Sequence, residues 1–96
     1  MVLKRRIALE AHEIKMGDVL RKMRKTTPHS QESVAHLCDV ERKTITNLEQ
    51  SVHIPNLVTL GKYAVALNLR PSELLKEIEE DSNFLQIITS EVEARR

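Results

Sequence analysis

The sequence predicts an all-α domain of five helices over residues 14–79, with a short extension at each end. Apolar residues recur every three or four positions through most of this span, which places them on one face of successive helices. The first such stripe consists of Met16, Val19, Leu20 and Met23. Typical helix-capping residues separate the stripes, among them Ser30 and Asn56 as N-caps and Asn68 as a left-handed stop. The domain boundaries we expect are 1–13, 14–79 and 80–96.

The composition limits the classes of protein to which the chain can belong. The 96 residues suffice for one domain, and a hydrophobic content of 41% indicates a folded chain rather than a disordered one. A single cysteine excludes an internal disulfide and favours a reducing compartment. No apolar run approaches the roughly 20 residues of a membrane span, and no signal peptide is recognisable in Met1–Ile14. We therefore expect a cytoplasmic protein.

Charge is distributed unevenly along the chain, although the formal net charge is only +1. Residues 1–25 hold eight Lys or Arg against three acids, and residues 73–81 hold five acids against one Lys. This asymmetry predicts a basic face and an acidic end.

Residues 30–51 form the central stretch, which we interpret as two short helices joined by a tight turn. Ser30 caps the first helix, and Val34, Ala35 and Cys38 give it one apolar face. The turn follows at residues 39–41, where Asp39 tolerates the left-handed conformation better than most residues do.

The second helix of this stretch, roughly residues 42–50, is polar over most of its surface. Only Ile45 and Leu48 are spaced as buried anchors. Cationic, hydroxyl and amide groups surround them, and these are the groups that hydrogen-bond to base edges. They are Arg42, Lys43, Thr44, Thr46 and Asn47. A narrow apolar seam beneath a face rich in donors is typical of a helix that enters a DNA groove.

An ordered set of motifs then resembles the Cro/CI-like helix-turn-helix family, also called the XRE family, over about Met16 to Ile78. The motifs are Gln31-x-x-Val-Ala, Val40-x-x-x-Thr-Ile-Thr-x-Leu-Glu, Pro55, and Leu60-x-x-Tyr-Ala-x-Ala-Leu. The resemblance implies a five-helix, lambda-repressor-like DNA-binding domain. It also implies double-stranded DNA and a second copy of the chain as partners.

This resemblance and the groove geometry together assign roles to individual residues. We expect contacts to base edges from Arg42, Lys43 and Asn47, because the first turns of a recognition helix enter the major groove. By the resemblance, Gln31 should donate to a DNA phosphate at the head of its helix. Further contacts to the DNA backbone are expected from Thr44, Thr46 and Gln50. The resemblance also implies a structural ion pair between Arg24 and Glu49.

The remaining positions of the domain yield smaller expectations. In the fourth helix, the inward stripe should comprise Leu57, Leu60, Ala64 and Leu67. Tyr63 should flank that stripe with its hydroxyl reaching outward. The alternatives for His29 are a helix cap, a phosphate contact and simple exposure, of which we expect exposure. Cys38 is expected to be a core residue rather than a redox switch.

The two extensions are ambiguous in sequence. Residues 1–13 fit one helical face but also alternate like a strand, and we favour the helix. In residues 80–96, the spacing of Phe84, Ile88 and Val92 suits a helix, whereas Leu85 and Ile87 suit a strand. This tail should pack either on its own domain or on a second subunit. Its exposed apolar residues should contribute to a dimer interface, with Leu69 and Leu74 as further candidates.

The function expected is a sequence-specific transcriptional regulator, acting as a repressor, that binds a palindromic operator as a dimer. One alternative is an antitoxin or other interaction module that holds a partner protein through its terminal extensions. Another is a controller protein of a restriction–modification system. An enzyme is not expected, because the four histidines are scattered without metal-ligand spacing and no catalytic motif appears. We therefore expect no metal, cofactor or catalytic residue.

Overall fold

The structure, a computed structural model, describes residues 13–96, which contain six α-helices and no strand. The helices are α1 (Gly17–Lys25), α2 (Gln31–Cys38), α3 (Arg42–Glu49), α4 (Leu57–Ala66), α5 (Pro71–Asp81) and α6 (Phe84–Glu93). The all-α prediction is confirmed, but the count of five helices is wrong because the C-terminal extension forms a sixth. The predictions for residues 1–12 lie outside the described part of the chain.

Side-chain caps start the two helices for which the sequence predicted them. The Ser30 hydroxyl accepts a hydrogen bond from the Ser33 backbone N–H at 3.0 Å, at the head of α2. The Asn56 side chain accepts from the Thr59 N–H at 2.8 Å, at the head of α4. Glu41 precedes α3 without a side-chain cap. Helix α3 therefore depends on its tertiary contacts for a larger part of its stability.

Three residues with positive φ end helices or shape the loops that follow. Asp39 ends α2 with φ of 57°, and Asn68 follows α4 with φ of 63°, as their sequence positions predicted. Ser51 adopts φ of 59° in the loop after α3. Its hydroxyl accepts a hydrogen bond from the Gly17 N–H at 3.1 Å, which joins this loop to the start of α1.

The first five helices enclose one apolar core. Helix α3 contacts α1 and α2, α4 contacts α2 and α5, and α5 also contacts α1 and α6. The buried apolar side chains are Ile14, Met16, Val19, Leu20, Val34, Ala35, Cys38, Ile45, Leu48, Tyr63, Ala64, Leu67, Leu74 and Ile78. Cys38 is a core residue as predicted, and burial raises the pKa of its thiol although the charge of Lys62 acts against the shift.

Two predictions about α4 are wrong. Leu57 was expected to face inward, yet it is 79% exposed. Periodicity identifies the face of a helix but not where along its length the neighbouring helices end, and Leu57 lies in the first turn of α4. Tyr63 was expected to direct its hydroxyl outward, yet it is fully buried. Its ring fills the core because its hydroxyl finds polar partners there.

Helix α6 packs against the same domain. Its half-buried apolar residues Phe84, Ile87 and Ile88 contact the core, which settles the ambiguity of this segment in favour of a helix. Asn83, just before α6, donates to the Glu13 carbonyl and accepts from the Lys15 N–H, both at 2.8 Å. These bonds connect the α5–α6 loop to the segment that enters α1.

Gly17 lies at a close approach between α1 and the end of α3. A Cβ at this position would lie 2.5 Å from the Glu49 carbonyl oxygen and 2.6 Å from that of Leu48. Backbone oxygens cannot move aside as a flexible side chain can. The absence of a side chain at Gly17 thus allows α1 to contact α3.

We expect Gly17→Ala to destabilise the domain by about 1–3 kcal/mol, the usual cost of overpacking a filled interior. The matched control is Gly61→Ala in the middle of α4, where a new Cβ would meet only Pro71 Cγ, at 3.7 Å. That change should stabilise the domain by about 0.5–1 kcal/mol, because alanine favours the helix. Urea denaturation of both variants measures the two free energies, and equal effects would show that the close approach is wrongly described.

Candidate nucleic-acid interface

Helix α3 presents a polar face outward and a narrow apolar seam inward. Ile45 is fully buried and Leu48 is 3% exposed, and together they anchor the helix in the core. Arg42 and Lys43 are exposed in the first turn, and Asn47 is half-buried one turn after Lys43. Because residues four apart share a helix face, Lys43 and Asn47 lie on one surface.

The other residues expected at the DNA backbone differ in their accessibility. Gln50 is exposed at the end of α3, and Thr44 is half-buried. The hydroxyl of Thr46 lies 3.0 Å from Gln31 Oε1 and 3.2 Å from the Arg42 carbonyl oxygen. Gln31 is the first residue of α2 and is half-buried. A direct contact thus joins the head of α2 to the middle of α3.

A buried ion pair holds the other end of α3. Arg24 Nε lies 2.7 Å from Glu49 Oε2, and Arg24 Nη2 lies 3.0 Å from Oε1, so the guanidinium binds the carboxylate through two bonds. Arg24 is 9% exposed and Glu49 is 3% exposed. The pair joins the last turn of α1 to the last residue of α3. These are the two residues for which the family resemblance implied an ion pair.

Two more donors reach the same carboxylate, and sequence reasoning missed both. The Tyr63 hydroxyl lies 2.7 Å from Glu49 Oε2 and also 2.8 Å from the Leu20 carbonyl oxygen, so it donates its one proton to either acceptor. Gln31 Nε2 donates to Glu49 Oε1 at 3.1 Å. The available signal was the position of Tyr63 between inward-facing residues, because a buried phenol needs a polar partner.

The protonation states follow from this geometry. Burial acts to raise the pKa of Glu49, but hydrogen bonds from Arg24, Gln31 and Tyr63 outweigh it and hold the pKa below its ordinary value. The hydrogen bond to Glu49 raises the pKa of Arg24. Burial, followed by the neighbouring Glu49 carboxylate, raises the pKa of Tyr63 far above its usual range. At neutral pH the cluster is a carboxylate, a guanidinium and a neutral phenol.

His29 departs from its expected exposure. It is half-buried, and its Nδ1 lies 2.8 Å from the Ser33 hydroxyl in the first turn of α2. Arg24 Nη1 also donates to the His29 carbonyl oxygen at 3.1 Å, so both the side chain and the backbone of His29 contact neighbouring helices. Across residues 13–96, no three His, Cys, Asp or Glu side chains are grouped so as to hold a metal ion. No helix in that range has the length and apolar character needed to cross a membrane.

Two short helices, a turn through left-handed Asp39 and a second helix with a polar outer face define a helix-turn-helix domain. The model of the helix-turn-helix family matches residues 20–74. Control protein C.MunI from Mycoplasma sp is 36% identical over 70 residues, which cover 72% of this chain and 95% of that protein. The chain belongs to the helix-turn-helix family, and its resemblance to the XRE type is confirmed.

Solved structures support the same assignment. The restriction-modification controller protein C.AhdI from Aeromonas hydrophila is 35% identical, over 62% of this chain and 91% of that chain, with a TM-score of 0.59. The clp gene regulator ClgR from Corynebacterium glutamicum is 18% identical, over 91% of this chain and 89% of that one, with a TM-score of 0.68. The second likeness concerns the fold alone. The family is one of DNA-binding transcription regulators and not a family of enzymes.

We expect the free energy of unfolding to fall with decreasing pH, beginning near the ordinary glutamate pKa of 4.5. Below that value the unfolded chain takes up a proton at Glu49, whereas the folded chain resists it until its own lower pKa is reached. The contribution of Glu49 to stability is therefore fully present above the pKa of the unfolded chain, and it is lost as the pH falls through the lower pKa of the folded chain. Carbon-13 titration of the Glu49 carboxyl group measures the shift, and an unshifted or raised pKa would contradict this account.

The matched variants for this cluster are Glu49→Gln and Asp81→Asn at neutral pH. The first leaves the Arg24 charge buried without its partner and should lower the free energy of unfolding by about 3–5 kcal/mol. The second removes one partner of the exposed pair formed by Lys22 and Asp81, at 3.5 Å, and should cost less than about 1 kcal/mol.

Proposed function

We propose that this regulator binds a palindromic operator as a homodimer, with α3 of each copy in a major groove. The observation that supports the proposal best is the composition of the α3 surface. Only Ile45 and Leu48 of this helix are committed to the core as apolar side chains, which leaves its cationic and amide side chains accessible. A helix whose sole task was to stabilise the fold would bury a broader apolar stripe.

Base contacts are proposed for the three side chains at the head and middle of α3. Arg42 or Lys43 pairs with guanine O6 and N7, and Asn47 with adenine N6 and N7. Gln31 donates to a phosphate from the first turn of α2, where free backbone N–H groups also favour an anion. Thr44 and Gln50 provide further contacts to the DNA backbone.

A restriction–modification controller is the particular role we propose. Two relatives at 35–36% identity are control proteins, and this chain covers more than nine-tenths of each. A restriction enzyme or methyltransferase encoded by a neighbouring gene would support the role. The antitoxin alternative has less support, because α6 directs Phe84, Ile87 and Ile88 onto its own domain rather than outward. We further propose that the regulator represses transcription. We also propose that it lies in the cytoplasm, where the free Cys38 thiol stays reduced.

For the dimer we propose a surface other than the one expected from the sequence. Leu74 is fully buried in the core, and Leu69 is half-buried against it, because both lie on the inward side of the α4–α5 region. A more exposed apolar surface, which we call the α4 patch, lies in the α3–α4 loop and the first turn of α4. It comprises Val52, Ile54, Leu57 and Val58, which are 49%, 42%, 79% and 66% exposed.

The α4 patch suits a second copy because it directly follows the recognition helix in the chain. A two-fold axis through this patch would bring the two α3 helices close to one another on the same side of the dimer. Half-sites are read roughly 34 Å apart, one turn of DNA, so each recognition helix must lie about half that distance from the two-fold axis. Helix α6 also exposes two apolar residues, Leu85 and Val92. It follows the C-terminal end of α5 rather than α3, however, so it suits the dimer interface less well than the α4 patch does.

The readout can be tested after selection of the preferred duplex from a random pool. Arg42→Ala should weaken binding to that duplex by about 1–3 kcal/mol and relax the preference at one base position, because a bidentate contact is lost. The matched control is Lys76→Ala, an exposed cation on α5, which should preserve the preference. If Arg42→Ala and Asn47→Ala both retain the parent affinity, α3 is not the recognition helix.

The dimer can be tested by placing a charge in the α4 patch. Leu57→Glu should shift the chain towards monomer in sedimentation velocity, because two carboxylates would be buried at the two-fold axis without partners. Val92→Glu is the matched control in α6 and should leave the association unchanged. If Val92→Glu shifted the chain towards monomer and Leu57→Glu did not, the interface would lie in the C-terminal extension instead.

A further inference from the structure

We infer that Thr46 is a positioning residue that acts on DNA through Gln31 instead of contacting DNA itself. The inference rests on the proposed function, since Gln31 is its proposed phosphate contact. It differs from the expectation that the Thr46 hydroxyl contacts the DNA backbone. The observation behind it is a pair of contacts that hold the two ends of one side-chain amide.

The first contact fixes which way the amide faces. Gln31 Nε2 donates to Glu49 Oε1 at 3.1 Å. Arg24 and Tyr63 also donate to this carboxylate, and the pKa of Glu49 is held low, so it offers only acceptors at neutral pH. A reversed amide would set Gln31 Oε1 against a carboxylate oxygen, acceptor against acceptor. Glu49 therefore selects the orientation with nitrogen towards itself.

The second contact fixes the oxygen end. Thr46 Oγ1 lies 3.0 Å from Gln31 Oε1 and 3.2 Å from the Arg42 carbonyl oxygen. A threonine hydroxyl has one proton, so these two acceptors compete for it. The closer acceptor is Gln31. A proton donated to Gln31 is not available to DNA, whose phosphates offer only acceptors.

A primary amide carries two N–H groups, and Glu49 occupies one of them. The other remains for a phosphate oxygen at the head of α2. A glutamine fixed before binding loses less rotamer freedom when the phosphate arrives. Thr46 thus contributes by keeping this N–H in place, although its own hydroxyl never meets the DNA.

The test is a double-mutant cycle of parent, Thr46→Val, Gln31→Ala and the double variant. Dissociation constants are measured at one salt concentration, for the duplex selected by the parent and for an unrelated duplex. Thr46→Val alone should weaken both complexes by about three- to tenfold, the worth of one hydrogen bond, and should leave their ratio unchanged. In the Gln31→Ala background it should have no further effect. Thr46→Ser, which keeps the hydroxyl, should bind as the parent does.

Two results would overturn the inference. A full effect of Thr46→Val in the Gln31→Ala background would mean that Thr46 contacts DNA directly. No effect in either background would mean that the hydroxyl has no part in binding. Thermal melting of each variant in the absence of DNA identifies any loss of affinity that arises from unfolding.

A measurement without DNA separates this inference from the proposed function. In the free protein, the side-chain N–H resonances of Gln31 should move in Thr46→Val and exchange faster with solvent, while Thr46→Ser preserves them. Unchanged resonances in Thr46→Val would overturn the positioning role alone. A parent that binds no duplex, with the Gln31 resonances responding as described, would overturn the proposed function instead.

Discussion

The fold depends on one carboxylate at the end of the recognition helix. Glu49 accepts hydrogen bonds from three other elements, namely Arg24 of α1, Gln31 of α2 and Tyr63 of α4. Its position is unfavourable in two respects, because it is buried and because it lies at the negative end of a helix dipole. The guanidinium and the two neutral donors offset both penalties. The carboxylate is stable there only while all of these elements keep their places.

This arrangement answers a problem that every DNA-reading helix of this length faces. Eight residues are too few for a stable isolated helix, and α3 begins without a side-chain cap. Most of its surface must remain polar and open for the groove, so apolar packing is limited to a narrow seam. Directional hydrogen bonds donated to the Glu49 carboxylate supply orientation that the seam alone cannot. Gly17 adds to this by letting α1 approach the backbone of the same turn.

The parts of the fold that depend on local sequence could be predicted, and the parts that depend on distant neighbours could not. The side chains of Ser30 and Asn56 cap helices by accepting from a backbone N–H three residues further on, and Asp39 and Asn68 adopt left-handed φ, so each acts within a few residues. The place of Tyr63 depends on a carboxylate 14 residues away. The periodicity of apolar residues predicted the helix that contains Tyr63, but it carried no information about that partner.

The same distinction holds for the candidate site. The polar face of α3 follows from the spacing of its apolar residues, whereas the contact between Thr46 and Gln31 crosses from one helix to another. The exposure of Leu57 likewise depends on where neighbouring helices end, and His29 is half-buried among contacts to Arg24 and Ser33. Helix α6 was ambiguous because three of its residues suited a helix and two suited a strand, and packing on the core decided between them.

Helix α4 connects the proposed dimer surface to the proposed reading surface. Leu57 and Val58 lie in its first turn, and Tyr63 lies five to six residues further on, about 8–9 Å along the helix axis. At that point its hydroxyl meets the carboxylate that orients α3. A second copy seated on the α4 patch would therefore contact the helix that supplies one of the donors to Glu49. The angle between the two α3 helices in such a dimer would depend on α4 together with α1 and α2, which pack directly against α3.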